Sequence, residues 1–216
     1  MVEQSLVSRV VDLEERLRCI EEKLWCPECN VPRGALLSDR DIRRLIEEGR
    51  IEISPEPDLN DPSILGTCKV DFHLGAEAMV LNPHKIAAVD FSKPIPEEYF
   101  DKINLKKEGE INIPPNSLVI ATTLERLKLP GDMTGRMEGK SSVARRGGSV
   151  QAAPLFDAGW DGRPMMELHN IGGITGIAHY RQAICAFSFT HLSSDTFQLY
   201  SQRDGTRYGV QEGVKA

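Results

Sequence analysis

No stretch of the 216-residue sequence stays apolar for long. None approaches the roughly 20 residues that a membrane-spanning helix needs, and the N-terminal segment carries charges where a signal peptide has an apolar core. A cytoplasmic protein is therefore expected. Cysteines are few and odd in number, five in all, in a chain long enough to fold without covalent links, so we expect reduced thiols rather than disulfides.

The sequence also lacks a concentration of positive charge. Its net charge is -6, and the lysines and arginines are scattered along the chain. Because nucleic-acid binding depends on clustered basic side chains, no nucleic-acid partner is expected, although a small anion could bind locally. The hydrophobic fraction of 40% and the charged fraction of 27% are ordinary for a globular protein, and the length allows one sizeable core with an appendage.

A heptad pattern of apolar residues occupies the N-terminal segment. The pattern alternates steps of four and three residues: Leu6, Val10, Leu13, Leu17, Ile20 and Leu24. A helix this short is marginal alone in water, so it needs a partner. A coiled coil with other copies of the chain is the favoured interpretation, and a helix lying on its own domain is the alternative.

A CxxC motif, CPEC at residues 26–29, follows this helix. It supplies two of the four ligands that structural zinc uses, and the sequence has no second CxxC and no closely spaced histidine pair. Zinc shared between subunits, a redox role and ordinary reduced cysteines all remain open. With Pro32 and Gly34 behind the motif, residues 1–35 are interpreted as a heptad helix and a CxxC linker, and residues 36–216 as the main domain.

The main domain begins with a predicted helix over residues 38–48, in which Ser38 can cap the N-terminus and Ile42 and Leu45 share an apolar face. Short apolar runs follow, separated by Pro, Gly, Asn and Asp turns: 51–53, 70–74, 118–124, 165–168 and 183–189. Many short strands between turn signals predict an all-β sandwich or barrel. No helical pattern of useful length separates them, which disfavours a doubly wound α/β sheet.

The densest polar stretch is EGKSSVARRG at residues 138–147. Its glycines let a backbone approach a ligand, and its lysine, arginines and hydroxyl groups are the donors that an oligophosphate needs. The GxxxxGK[ST] spacing of a Walker A loop is absent. The stretch is either a phosphate-binding loop or a surface turn with solvated charges.

A tight turn, DAGWDG at residues 157–162, precedes a predicted strand in which Glu167 stands between apolar neighbours. If the Glu167 side chain points inward, burial favours its protonated form and makes it a credible proton shuttle. If the side chain points outward, Glu167 is an ordinary strand glutamate.

Four blocks of residues carry a family resemblance: LSDRDI and EGRI at 37–42 and 48–51, VDFHLG at 70–75, the 140–147 stretch with the 157–162 turn and Glu167 behind it, and Tyr200, Arg207-Tyr208 and Gln211-Glu212-Gly213 near the C-terminus. They resemble the dCTP deaminase branch of the dUTPase-like superfamily, and residues 140–147 are similar to that family's GRSSLARLG signature. The resemblance runs in order from about residue 36 to the end of the chain.

This resemblance implies a distorted jelly-roll (dUTPase-like) β-barrel that forms a homotrimer, with each active site built between subunits. It implies a pyrimidine deoxynucleoside triphosphate as substrate, held through Mg²⁺ that is bound mainly by the triphosphate rather than by protein side chains. Residues from about 200 to 216 would form a lid over the ligand. The heptad helix is not part of the usual family pattern, and a trimer offers it a three-fold partner.

The resemblance also implies roles for individual residues. Glu167 would move protons between water and the cytosine, and Ser141 and Arg145 would fix and polarise that water, so these three are the candidate catalytic residues. Nine further residues would contact the substrate: Lys140, Ser142, Asp157, Trp160, Met165, Met166, Tyr200, Arg207 and Gln211.

The reaction implied is the hydrolytic deamination of dCTP to dUTP and ammonia. No histidine is followed two residues later by glutamate, so the H-x-E motif of the zinc-dependent deaminases is absent and their mechanism is excluded. The alternative is a dUTPase or a bifunctional enzyme that produces dUMP and pyrophosphate. Ala158 resembles members that also hydrolyse dUTP, in which Asp157 would activate water.

Glu167 discriminates between these activities, because dedicated dUTPases of this fold usually lack a carboxylate at its position. Its presence favours the deaminase. A non-catalytic nucleotide-sensing trimer is a third alternative, which the intact set of Ser141, Arg145 and Glu167 disfavours.

Overall fold

The computed structural model describes residues 2–26, 30–150, 153–203 and 213–214. Its α-helices are α1 Val2–Leu24, α2 Asp39–Glu47, α3 Leu105–Glu108 and α4 Ser141–Ala144, and single 3₁₀ turns cover Glu97–Tyr99 and Tyr200–Gln202. Its strands are β1 Trp25–Cys26, β2 Val31–Pro32, β3 Glu52–Ser54, β4 Leu65–Gly66, β5 Lys69–Leu81, β6 Phe100–Asn104, β7 Glu110–Ile113, β8 Leu118–Thr123, β9 Arg126–Lys128, β10 Met133–Gly139, β11 Gly148–Ser149, β12 Leu155–Phe156, β13 Asp161–Gly162, β14 Met165–Asn170, β15 Gly176–His179 and β16 Ala183–His191. The main domain is mostly β, as the sequence predicted.

One large antiparallel sheet organises the molecule. Nine strands form it, in the order β11-β14-β8-β5-β16-β10-β12, with β4 and β6 added along β5. Strands β13, β9 and β3 make a smaller sheet, and β15 pairs with β7. Antiparallel neighbours can be joined by tight turns, which is why the short strands need no crossover helices between them.

β5 is the strand that bends the large sheet. Its first half pairs with β16 and its second half with β8, and a register shift between Leu74 and Ala78 marks the change of partner. Gly75 lies within this shift, and a Cβ added to it would stand 2.5 Å from the carbonyl oxygen of Thr123. Only glycine therefore lets the two backbones approach this closely, and the sheet curls where the strand changes partner.

The hydrophobic core is a single cluster drawn mainly from the large sheet and α2, with further residues from the smaller sheets, α3 and the N-terminal hairpin. Phe187 on β16 is fully buried, and its ring centroid lies 4.6 Å from that of Phe72 and 5.0 Å from that of Phe156. Such aromatic pairs contribute about 0.5–1.5 kcal/mol each beyond the burial of their area. The rings fix β5, β12 and β16 against one another.

Helix α2 forms where the sequence predicts it. The Ser38 side chain accepts a hydrogen bond from the Asp41 backbone N–H at 3.4 Å, which caps the first turn. Ile42 and Leu45 are fully buried in the core. Gly49 follows the helix with φ of 70°, a left-handed conformation that glycine adopts without strain.

The N-terminal segment is helical, as the heptad pattern predicts, and part of its apolar seam is exposed. Leu17 is 57% exposed and Leu24 is 62% exposed. The stretch predicted to be a linker is instead a hairpin in which Cys26 of β1 pairs with Val31 of β2, and both of these side chains are buried in the main core. Within the described part of the chain, no helix is long and apolar enough to cross a membrane.

Candidate active site

The donor-rich stretch predicted to bind phosphate folds as the one-turn helix α4. Ser141 is its first residue and Arg145 its C-cap, and the Arg145 backbone N–H donates to the Ser141 carbonyl at 3.0 Å. Both side chains are exposed. Gly147 ends the turn with φ of 90°, and a Cβ there would stand 2.8 Å from the Gly172 Cα, so this close backbone crossing requires glycine.

Strand β11 places this loop beside the strand that carries Glu167. β11 pairs with the end of β14, Gly148 opposite Asn170 and Ser149 opposite His169. Side chains two residues apart share one face of a strand, so Glu167 lies on the same face as His169. The pairing thus joins the loop to the C-terminal end of β14, whereas Glu167 itself lies opposite Ile120 of β8.

Glu167 points away from the hydrophobic core. Along β14, Met166, Leu168 and Asn170 are buried, whereas Met165, Glu167 and His169 are partly exposed. The Glu167 side chain is therefore neither enclosed within its own chain nor fully solvated, and its catalytic role stays a prediction.

Asn170 braces the segment around the loop, and the sequence pattern did not single it out. Its Nδ2 donates to the Ile113 carbonyl at 2.7 Å and to the Ile174 carbonyl at 2.8 Å. Its Oδ1 accepts from the Gly172 backbone N–H at 2.9 Å. The sequence does contain a signal for this role, which is an amide side chain at an inward-facing position of an alternating strand. A buried amide without hydrogen-bond partners would destabilise the fold.

A cavity of about 400 Å³ opens next to α4, between this helix and strands β14 and β15. Ser142, Arg146 and His169 contribute to its polar lining. The described residues that line this cavity do not include Ser141, Arg145 or Glu167. A single chain therefore does not gather the predicted catalytic residues into this cavity.

Lys140, at the N-cap of α4, is held by a carboxylate from the VDFHLG block. Its ammonium contacts Asp71, which is buried, and the Lys69 ammonium lies 3.2 Å from the other oxygen of the same carboxylate. Burial lowers the pKa of Lys140 and the nearby Lys69 charge adds to this, whereas the contact with Asp71 favours the ammonium form. A phosphate bound by Lys140 would therefore compete with Asp71 for the positive charge of the Lys140 ammonium.

Trp160 packs in an aromatic stack behind the 157–162 turn. Only 6% of Trp160 is exposed, and its ring meets Phe156 edge-on at 5.0 Å and Tyr200 at 5.2 Å between centroids. The Trp160 Nε1 has no hydrogen-bond partner among the described residues. The turn and the start of the C-terminal segment are thus fixed to each other through their rings.

The C-terminal segment also contacts the turn through polar groups. The Tyr200 backbone N–H donates to the Ala158 carbonyl at 3.0 Å, and Arg203 Nη1 lies 3.4 Å from Asp157 Oδ2. Both partners of this ion pair are about half exposed, so it contributes at most about 1 kcal/mol. Asp157 is consequently open to the solvent and to a ligand.

Of the remaining predicted substrate-binding residues, the structure describes the two methionines at the start of β14. Met165 is partly exposed on the Glu167 face of β14, whereas Met166 is fully buried in the core, so a contact from Met166 to a ligand would come from its main chain. Arg207 and Gln211 lie outside the described residues.

The donor set of this region fits a ligand that brings its own cation. Around α4 the described residues bring together no group of three carboxylate, thiol or imidazole ligands, and they offer ammonium, guanidinium and hydroxyl groups instead. Such donors bind phosphate oxygens. A triphosphate that carries Mg²⁺ on its own oxygens is compatible with this arrangement.

The curled antiparallel sheet and its donor-rich loop define a mostly β protein with a candidate site for a phosphorylated ligand. The chain belongs to the dCTP deaminase-like family, whose sequence model matches residues 36–192. The resemblance inferred from the motifs is thereby confirmed.

Curated relatives match over most of both chains. The chain is 37% identical over 182 residues to a dCTP deaminase of Thermomicrobium roseum, covering 83% of this chain and 91% of that one. It is 33% identical over 183 residues to a dUMP-forming dCTP deaminase of Dictyoglomus thermophilum, covering 84% and 93%.

A solved structure shows the same fold. The 2'-deoxycytidine 5'-triphosphate deaminase of Agrobacterium tumefaciens superposes with a TM-score of 0.57 at 19% identity, covering 73% of this chain. The matched region spans 47% of the solved chain, about half of its length. At this identity the likeness concerns the fold alone.

Proposed function

We propose that the protein is an enzyme that deaminates dCTP, taking up one water molecule and releasing dUTP and ammonia. The observation that carries this proposal is the family match across residues 36–192. Within that region, β11 joins the α4 loop to the C-terminal end of β14, the strand that carries Glu167. Relatives that cover more than four fifths of the chain have the same activity in their names.

In the proposed mechanism, Glu167 takes a proton from water and passes it towards the cytosine and its leaving ammonia. Ser141 and Arg145 orient and polarise that water. Attack at C4 builds negative charge on the ring, and each preorganised donor directed at such charge lowers a barrier by about 3–4 kcal/mol. The exposure of Ser141 and Arg145 leaves both free to face a ligand from outside their own core.

The triphosphate would be held by Lys140, Ser142, Tyr200, Arg207 and Gln211, partly from a lid that closes after binding. Mg²⁺ bound by the phosphates would neutralise part of their charge. Asp157 and Trp160 would lie near the deoxyribose, and the strand at Met165 and Met166 near the pyrimidine. The half-exposed Asp157 carboxylate supports this placement.

We also propose that the enzyme is a homotrimer of jelly-roll barrels with active sites between subunits. Two observations support this assembly. Among the described residues that line the cavity beside α4, none is a predicted catalytic residue. The α1 seam leaves Leu13, Leu17 and Leu24 more than half exposed. A parallel coiled coil along a three-fold axis would cover that seam. The cytoplasmic location stays a prediction.

A bifunctional enzyme that carries dCTP through to dUMP and pyrophosphate is the second candidate. It is favoured by Ala158 in the turn after Asp157 and by the 33% identity to a dUMP-forming relative. In this reaction Asp157 would activate water for attack on the triphosphate.

Product analysis separates the candidates. The purified protein is incubated with Mg²⁺ and dCTP, then separately with dUTP, while nucleotides are resolved by chromatography and ammonia and pyrophosphate are assayed. Ammonia with dUTP is the expected result, and ammonia with dUMP and pyrophosphate would establish the bifunctional enzyme. Pyrophosphate from dUTP with dCTP untouched would contradict the deaminase, and turnover of neither nucleotide would favour the sensor.

Glu167→Gln tests the proposed shuttle. The amide keeps the shape but cannot accept the proton, so kcat for dCTP should fall by about 10²- to 10⁴-fold with little change in KM. Glu97→Gln is the matched control, because Glu97 pairs with Lys102 on the surface at 2.6 Å and lies outside the candidate site. Wild-type kcat in Glu167→Gln would show that Glu167 is not the proton shuttle.

A further inference from the structure

Three potential metal ligands meet inside the fold, and they come from distant parts of the chain. Cys26 lies on β1, Asp132 immediately precedes β10, and His191 ends β16. One ligand atom of each lies within 4.8 Å of the other two. The residues are buried, with exposed fractions of 2%, 8% and 0%. The dCTP reaction proposed above makes no use of them.

The histidine is oriented as a metal ligand would be. His191 Nδ1 lies 2.7 Å from the Leu192 carbonyl oxygen, and because a carbonyl can only accept, this nitrogen carries the proton. In the neutral ring, Nε2 then presents a lone pair to the cluster. Metal-binding histidines are commonly held in this way, with the other ring nitrogen donating to a backbone carbonyl.

Two of the facing polar atoms lack hydrogen bonds. His191 Nε2 is 3.2 Å from Asp132 Oδ2 but is not aligned to share a hydrogen bond with it, and within the described residues neither this nitrogen nor Asp132 Oδ1 has a hydrogen-bond partner. Asp132 Oδ2 accepts from Arg50 and, at 3.8 Å, from the Cys26 thiol. Buried polar atoms left unpaired destabilise a fold. A cation between the imidazole, the carboxylate and the thiolate of Cys26 would give His191 Nε2 a partner.

The spacing fits zinc. With bonds of about 2.0–2.3 Å to nitrogen, oxygen and sulfur, the edges of a tetrahedral zinc site measure about 3.3–3.8 Å. Two of the three separations are 3.8 Å, from Cys26 Sγ to Asp132 Oδ2, and 3.2 Å, from His191 Nε2 to the same oxygen. The third, from Cys26 Sγ to His191 Nε2, is within 4.8 Å. Thiolate and imidazole ligands select zinc over Mg²⁺ or Ca²⁺.

The backbone holds these ligands in place. The Leu192 N–H donates to the Asp132 carbonyl at 2.8 Å, and the Gly34 N–H donates to the His191 carbonyl at 2.9 Å. Arg50 Nη2 lies 2.6 Å from Asp132 Oδ2, as expected for a group that orients a ligating carboxylate. The cluster is therefore built into the fold rather than formed by chance approach of mobile side chains.

We propose that Cys26, Asp132 and His191 bind a structural zinc ion that ties the N-terminal hairpin to β10 and β16. The other cysteine of the CxxC motif, Cys29, lies outside the described residues. The site is separate from the α4 loop and does not depend on the proposed deaminase activity.

Zinc content tests the proposal. The full chain is purified without a polyhistidine tag, and its metals are measured by plasma mass spectrometry. About one zinc ion per chain is expected in the wild type, falling below about 0.2 in Cys26→Ser and in His191→Gln. Cys19→Ser and His179→Gln are the matched controls, because both residues are exposed and lie outside the cluster, and they should keep the wild-type content.

Cobalt gives a readout on the wild-type protein, in case the ligand variants do not fold. After zinc is removed with a chelator, added Co²⁺ should give the visible absorption of a tetrahedral site and a thiolate-to-metal charge-transfer band, both abolished by zinc. A wild type that carries no zinc and gives no such spectrum would overturn the site, as would full zinc content in Cys26→Ser.

Discussion

Gly159 in the candidate active site gives a prediction whose size follows from the structure. Its φ is 78°, and an added Cβ would stand 3.0 Å from Leu199 Cβ and 3.4 Å from the Tyr200 nitrogen. In Gly159→Ala, the left-handed backbone costs about 1–2 kcal/mol. The methyl group also pushes residues 199–203 off the turn. If the hydrogen bond to Ala158 and the ring contact with Trp160 are lost too, the free energy of unfolding falls by up to about 5 kcal/mol.

Two control variants separate these costs. Gly109 has φ of 84° with no atom within 4 Å of an added Cβ, so Gly109→Ala should lose only the backbone term of about 1–2 kcal/mol. Gly173 has the same open space without a left-handed φ, so Gly173→Ala should stay within about 0.5 kcal/mol of the wild type. Urea unfolding at one protein concentration measures all three, because assembly makes apparent stability depend on concentration.

Gly159→Ala should also raise KM for dCTP by about threefold or more, because it displaces the start of the proposed lid, while both controls keep the wild-type KM. The reasoning would be refuted if Gly159→Ala unfolded at the same urea concentration as Gly173→Ala. An unchanged KM in a clearly destabilised Gly159→Ala would instead show that residues 199–203 take no part in binding.

Three further predictions concern other parts of the chain. Arg145→Ala should lower kcat for dCTP by at least about 10²-fold. Arg146 is the next residue and is also exposed, and Arg146→Ala should change kcat much less. Equal losses in the two variants would contradict a special role for Arg145. Leu17→Glu puts a charge in the exposed α1 seam. If the helices form a coiled coil, this variant should have a lower molecular mass than the wild type, measured by light scattering at low protein concentration. An unchanged mass would show that the seam does not hold the assembly. Burial raises the pKa of the Cys185 thiol, so iodoacetamide should alkylate exposed Cys19 in the native protein and reach Cys185 only after unfolding, as read by peptide mass spectrometry. Because the pKa of this thiol is higher in the folded protein, the stability that it contributes is present at low pH. That stability is lost as the pH rises above 9.0, the ordinary pKa of a cysteine thiol.

Local patterns predicted the elements that are decided locally. Ser38 and the apolar pair Ile42 and Leu45 specify α2, because capping and helical periodicity act within a few residues. The predicted strand at residues 70–74 ended too early, since β5 continues to Leu81. Gly75 ends the apolar run in the sequence, whereas in the fold it lets the strand change partner without ending.

The candidate site was predicted as a set of residue types and not as an arrangement. The family resemblance named Ser141, Arg145 and Glu167, yet nothing in the local sequence predicts that β11, only two residues long, pairs with the end of β14. Asn170 was missed for the same reason, since its partners lie in the segments before β8 and after β14. Pairings between distant strands depend on the whole sheet, which short windows do not contain.

The proposed zinc site shows the same limit most clearly. A search for ligands near the CxxC motif finds no second pair, because the side chains that complete the cluster stand far along the sequence, Asp132 being 106 residues beyond Cys26. The antiparallel pairing of β10 with β16 sets Met133 opposite His191 and so brings Asp132 and His191 to one end of the sheet. The N-terminal hairpin then lays Cys26 against them. The absence of a second ligand pair near a CxxC motif is therefore weak evidence against zinc until the strand pairings are known. The fold can supply further ligands from elsewhere in the chain.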